Sequence, residues 1–106
     1  MEEYMISSGN VFEDMGLQNP EERFAKAKLA AIINKIIEER GLTQKEAAKI
    51  LGINQPKISA LKKGRLKGFS IERLFSFLEK LDQHIEITIT DRVRAKKEGG
   101  ITVEHV

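Results

Sequence analysis

The segment Gly41-Leu-Thr-Gln-Lys-Glu-Ala-Ala-Lys-Ile-Leu-Gly52-Ile-Asn-Gln-Pro-Lys-Ile-Ser-Ala-Leu-Lys-Lys-Gly64 constrains the fold more than any other part of the chain. Thr43 can cap a helix start, and Glu46 three residues on completes a capping box, in which side chain and backbone satisfy each other's orphan groups. Losing such a cap costs about 1 kcal/mol. Ala47, Ala48 and Leu51 then form an inward stripe, small enough at the alanines for a second helix to cross closely. Gly52 falls where the chain must reverse, a place for positive φ. Ile53 plugs back under the turn. Asn54 caps a second helix, and Pro56 is tolerated because first-turn amides have no intrahelical partner. Ile58 and Leu61 hold that helix inward, Gly64 ends it, and Gln55, Lys57, Ser59, Lys62 and Lys63 are left outside.

Two short helices, a glycine turn and a basic outer face have the layout of a helix-turn-helix, which makes DNA the leading partner. The competing interpretation is a plain helical hairpin with a solvated polar face. It has to treat the cap, small-residue contact, turn glycine, second cap and basic face as unrelated. Charge supports the DNA reading. The net charge is only +2, but no acidic residue lies between Glu46 and Glu72, where Lys49, Lys57, Lys62, Lys63, Arg65 and Lys67 all fall. Glu2, Glu3, Glu13, Asp14, Glu21 and Glu22 crowd the other end. Basic charge therefore coincides with the outer helix and the loop after it, where a phosphate backbone would lie.

The same residues resemble the Cro/C1-type (XRE) helix-turn-helix family. Its pattern of Thr-Gln, a Glu three after the Thr, two alanines, Leu-Gly and Gln-x-x-Ile-Ser is matched by Thr43, Gln44, Glu46, Ala47, Ala48, Leu51, Gly52, Gln55, Ile58 and Ser59. The resemblance implies a regulator binding double-stranded DNA at a palindromic operator, with Gln55 at the family's base-reading position.

Around this motif the sequence predicts scaffold. Asn19-Pro20-Glu21-Glu22 is a helix start, with a cap, a first-turn proline and carboxylates favoured by the dipole. That helix should run to about Arg40 with Gly41 as terminator, burying Phe24, Leu29, Ile32, Ile33, Ile36 and Ile37. Ser70 opens another, lined by Ile71, Leu74, Phe75, Leu78 and Leu81, and Phe77 off that stripe implies a second buried surface. After Asp82 the period changes, and His84-Ile-Glu-Ile-Thr-Ile-Thr90 alternates as a strand does. A lone strand is unstable in water. Its mate is either Ile101–Val106, returning after Gly99-Gly100, or the same strand of a second subunit, the arrangement expected here. The intersubunit pairing makes Ile85, Ile87 and Ile89 dimerisation residues and sets two outer helices at half-sites about 34 Å apart.

The expected fold class is mainly α: a small helical bundle containing a helix-turn-helix, with a C-terminal β-strand used for dimerisation. Three regions follow: an N-terminal arm over 1–19, the helical DNA-binding domain over 20–82, and a strand and tail over 83–106. The arm carries Val11, Phe12, Met15 and Leu17 among acidic and small polar residues. It serves either as a tail packed on its own domain or dimer mate, or as a segment that blocks a basic protein partner. Arg92, Arg94, Lys96 and Lys97 are candidate phosphate contacts or simply solvated. Together with Gly9-Asn10-Val11-Phe12 and Gly68-Phe69-Ser70, this order of elements is similar to small HigA-like antitoxins of type II toxin–antitoxin modules. That wider similarity implies a homodimer that represses its own operon and neutralises a RelE-like ribonuclease toxin. The alternatives are a stand-alone XRE-family regulator without a toxin, and a protein-interaction or RNA-binding module.

Other classes are disfavoured. With 106 residues, 41% hydrophobic and 32% charged, the chain has the composition of one soluble globular domain. No apolar run is long enough to span a bilayer and nothing at the N-terminus resembles a signal peptide, so the cytoplasm is expected. Cys is absent, and His84 and His105 lie far apart, so neither a metal site nor a cofactor is expected. Glu21-Glu22 and Glu38-Glu39 point different ways on helices and make no acid/base dyad, and Gly64 and Gly68 lack the context of a phosphate loop. The chain is expected not to be an enzyme. The predicted interface puts Gln55, Lys57 and Ser59 at base edges and Gln44, Lys62, Lys63 and Arg65 at phosphates.

Overall fold

The structure, a computed structural model, describes residues 20–91 and 101–106. Among them are four α-helices: α1 (Pro20–Glu39), α2 (Gln44–Leu51), α3 (Gln55–Lys62) and α4 (Ile71–Lys80). Helix α1 lies chiefly against α4 and α2 against α3, while α1–α3 and α2–α4 contacts close the bundle.

All four helices stop in the same way. One or two residues after each helical stretch the chain takes a left-handed φ, at Gly41, Gly52, Gly64 and Asp82, between 65° and 75°. Each time the next amide bonds back five residues: Leu42 N–H to Ile37 O, Ile53 to Ala48, Arg65 to Ala60 and Gln83 to Leu78. This Schellman closure satisfies carbonyls that a helix end leaves without partners. The glycine stops were legible in the sequence. Asp82 was not, because Asp enters this region less freely than Gly and more freely than most residues.

Side chains from other helices add to the closure. The Lys80 ammonium donates to Leu51 O at 3.2 Å, at the negative end of α2. The Arg40 guanidinium donates to Leu81 O at 2.7 Å, beyond α4. Asn34 donates to Leu61 O at 3.2 Å, in the last turn of α3. Each of these fixes a helix end to a helix distant in sequence.

The core joins Leu29, Ile33 and Ile36 of α1 to Ala47, Ala48 and Leu51 of α2, Ile58 and Leu61 of α3, and Leu74, Phe77, Leu78 and Leu81 around α4. Two predicted stripes are rotated. Phe24 is 65% exposed, and Ala25 and Ala30 are buried instead. A residue five positions before Leu29 is about 140° away round a helix and cannot share its face. On α4, Ile71 and Phe75 are only partly buried, and Phe77 lies central, meeting Phe69 edge to face at 5.9 Å. The second buried surface implied by Phe77 is therefore the middle of the first. Glu22 and Lys26 are also buried, and both are engaged in polar or electrostatic contact.

The expected C-terminal β-strand is not supported. No strand exists among the described residues, and neither 83–91 nor 101–106 forms a ladder. Alternation specifies which side chains share a face, but a strand also requires a neighbour to bond to. The hairpin mate, 101–106, does not supply one. Ile85 and Val103 pack partly against the core. Ile87 and Ile89 stand 71% and 80% exposed. The arm over 1–19 and the basic residues Arg92, Arg94, Lys96 and Lys97 lie outside the described residues.

Candidate nucleic-acid interface

The candidate interface is the outer face of α3, and its precision begins with how that helix is held. The predicted capping box opens α2: Glu46 N–H donates to Thr43 Oγ1 at 3.0 Å, and Thr43 N–H to Glu46 Oε1 at 2.9 Å. Gly52, at φ 74°, turns the chain. The Asn54 side chain then accepts from Lys57 N–H at 2.9 Å, leaving Gln55 as the first residue of α3 and Pro56 within its first turn. Ile58 and Leu61 are buried on the inward side.

Helix geometry assigns the rest. At about 100° per residue, the direction opposite Ile58 and Leu61 is taken by Pro56, Ser59, Ala60 and Lys63, spaced three or four apart. Pro56 and Lys63 are exposed, and Ser59 and Ala60 partly so. Gln55 and Lys62 are exposed on one flank. Lys57, on the other flank, is only half-exposed, with its ammonium 5.6 Å from the centre of the Phe69 ring. Such a cation–π contact contributes about 0.5–1 kcal/mol at an accessible site.

The predicted base-contact set is therefore not one surface. Ser59 faces outward, and Gln55 sits at the leading end of the helix, where recognition helices of this layout meet base edges. Lys57 lies beside Phe69, ahead of α4. Among the predicted phosphate contacts, Gln44 is exposed at the start of α2 and Lys62 in the last turn of α3, and Lys63 and Arg65 are exposed around the Gly64 closure. The closure fixes their backbone through Gly64 N–H to Leu61 O and Arg65 N–H to Ala60 O.

Sequence reasoning missed Arg73. It is exposed in the first turn of α4, its guanidinium 5.7 Å from the centre of the Phe77 ring. Lys57, Phe69, Phe77 and Arg73 thus form one continuous row with a cation at each end. A signal was available: a cation in a first turn opposes the helix dipole, so its position asks for another partner.

Among the described residues no group of three or more His, Asp or Glu side chains could hold a metal ion. No described helix is long and apolar enough to cross a membrane.

Comparison with known proteins bears on the same surface. A family model described as "Helix-turn-helix domain" matches residues 11–90. A solved structure assigned as an XRE-family transcriptional regulator is similar at 45% identity and a TM-score of 0.76, over 81% of this chain and 97% of that one. No curated protein matches the chain.

Proposed function

The chain belongs to the helix-turn-helix domain family and is a DNA-binding transcriptional regulator of the XRE type, and from that premise we propose that it is a dimeric repressor of its own operon. The observation that carries this reading is the outward stripe of α3, which bears no acidic residue and is fixed at both ends and from behind. Gln55, matching the family's base-reading glutamine, bonds adenine through its amide, and Ser59 reaches a neighbouring base edge. Lys57, turned aside by Phe69, serves at the groove's edge with Arg73. Gln44, Lys62, Lys63 and Arg65 hold the phosphates.

Dimerisation uses 84–90 paired with the same segment of a second copy about a two-fold axis. The pairing would cover Ile87 and Ile89, continue the row begun by Ile85, and set two α3 helices on a palindromic operator. The cytoplasm is the compartment where such an operator is found. The antitoxin role, with a RelE-like ribonuclease as partner, rests on the resemblance of the chain's order of elements to HigA-like proteins. Co-purification with the product of an adjacent gene tests that part separately.

Fluorescence anisotropy on the DNA upstream of the gene, titrated with salt and unrelated competitor duplex, tests the rest. The expected result is competitor-resistant binding that saturates at two chains per site. Gln55→Ala should lose about 1–3 kcal/mol of discrimination, and Arg65→Ala should lower the salt slope by about 0.9. Binding that collapses equally on any sequence would refute specific recognition.

A further inference from the structure

We propose that Asn34 of α1, a residue outside the nucleic-acid interface, sets the roll of α3 about its own axis and thereby how sharply the chain discriminates between duplex sequences. The inference rests on the duplex-DNA reading above and adds to it a positioning residue that touches neither base nor phosphate. Helix α3 has eight residues and is about 12 Å long. Two buried side chains, Ile58 and Leu61, seat it on the bundle. Apolar burial is not directional, so it fixes the depth of a short helix better than its rotation. Hydrogen bonds supply direction, but most of those around α3 turn with it. The Asn54 side chain accepts from Lys57 N–H, and Ser59 O and Ala60 O accept from the amides of Lys63 and Arg65.

Asn34 differs because it belongs to another helix. Its half-buried Nδ2 donates to Leu61 O at 3.2 Å, the carbonyl that also accepts Gly64 N–H at 3.2 Å. One bond thus ties both the last turn of α3 and its closure to α1, a helix held in the core by Leu29, Ile33 and Ile36. The consequence for DNA follows from geometry. Side-chain ends lie about 5 Å from a helix axis, so a roll of about 20° carries them about 2 Å. Base-edge hydrogen bonds work over a range of about 2.7–3.2 Å, and Gln55 and Ser59 would leave it. Lys62, Lys63 and Arg65 would still attract phosphate, because charge acts over several ångströms. Loss of the Asn34 bond should therefore lower discrimination and spare the electrostatic part of binding. The competing explanation is a contact that only stabilises the fold; it would shift melting and leave discrimination by the folded chain as it was.

Asn34→Asp keeps the shape of the side chain and replaces its donor by an acceptor, while Asn34→Leu keeps its approximate volume and removes both. The full chain and both variants are titrated, at a temperature where circular dichroism finds each folded, with the duplex that the unaltered chain selects from a random pool and with an unrelated duplex. Affinity for the selected duplex should fall about fivefold in each variant, as expected for one hydrogen bond of ordinary net strength. Affinity for the unrelated duplex and its salt slope should not change with Asn34→Leu. In the chain without DNA, the Gly64 and Arg65 amides should exchange their hydrogens faster in both variants, with the Ala47 and Gly52 amides of α2 unchanged.

Unaltered discrimination in Asn34→Leu would overturn the proposal even if melting fell, since the contact would then be structural only. A loss confined to Asn34→Asp would also overturn it, because an added negative charge near DNA would then be the cause. Equal losses on both duplexes in Asn34→Leu would do the same. Failure of the unaltered chain to select any sequence would overturn the proposal together with its premise.

Discussion

Replacing Gly52 by Ala isolates what the turn of the motif requires. Two costs are possible: the backbone conformation and the space for a methyl group. Gly52 has φ 74°, and a Cβ built there would lie 3.4 Å from the Lys80 ammonium. That is ordinary contact with the far end of a long side chain, the one that donates to Leu51 O, so the steric cost is small. The left-handed conformation costs an L-residue about 1–2 kcal/mol, offset in part by a stiffer unfolded chain worth about 0.4–1 kcal/mol. The net expectation is a loss of about 1 kcal/mol, or roughly 4–8 °C in melting temperature for a domain of this size. Gly68 is the control. Its φ lies outside the left-handed range and a Cβ would meet nothing within 4 Å, so Gly68→Ala should be neutral or slightly stabilising. Thermal and urea denaturation of both variants, repeated on a Lys80→Met background, gives a double-mutant cycle. Additivity within about 0.5 kcal/mol is expected if conformation dominates. Equal shifts for Gly52→Ala and Gly68→Ala would refute the assignment of the cost to backbone geometry. Strong coupling to Lys80 would move that cost to the contact with its ammonium.

Asp82 holds the fourth helix end at φ 65°, and its ion pair with Arg40, at 4.0 Å between exposed side chains, adds little. Asp82→Gly should therefore change stability by less than about 1 kcal/mol, whereas Asp82→Val should cost about 1–2 kcal/mol in the same denaturation assay. Ile87→Lys combined with Ile89→Lys places charges where the two-fold pairing would bury isoleucines. Sedimentation should then report monomers, operator affinity should fall steeply, and the melting of the helical domain should hold, because both side chains already face solvent in the single chain.

The sequence showed the parts of this fold whose physics is local. Thr43, Glu46, Asn54 and Ser70 announce their helices because a cap and the N–H that donates to it lie within three residues of each other. Gly52 and Gly64 announce the stops. Contacts between distant segments left no such trace. Nothing near Lys80 in sequence points to Leu51 O, and nothing near Lys57 points to Phe69, although both contacts decide where a cation ends up. The strand pattern failed for a related reason. Alternation is local and real, placing Ile85 towards the core, but the ladder that makes a strand depends on a second segment.

The candidate site follows the same division. Residues that hold α3 were identifiable because they obey periodicity and capping rules. What the sequence does not show is a side chain's reach where it depends on distant neighbours: Lys57, polar and outward by pattern, lies beside an aromatic ring contributed from beyond the helix. In a helix that reads DNA, affinity comes largely from basic groups around the rim, which tolerate displacement because charge acts over several ångströms. Base discrimination does not tolerate it, since it depends on direct contact. The carbonyl tether from Asn34, the Gly64 closure and the Asn54 cap all bear on α3 itself. The helix that must be placed most accurately is thus fixed at its start, at its end and from behind, by contacts that leave its outward stripe uncovered.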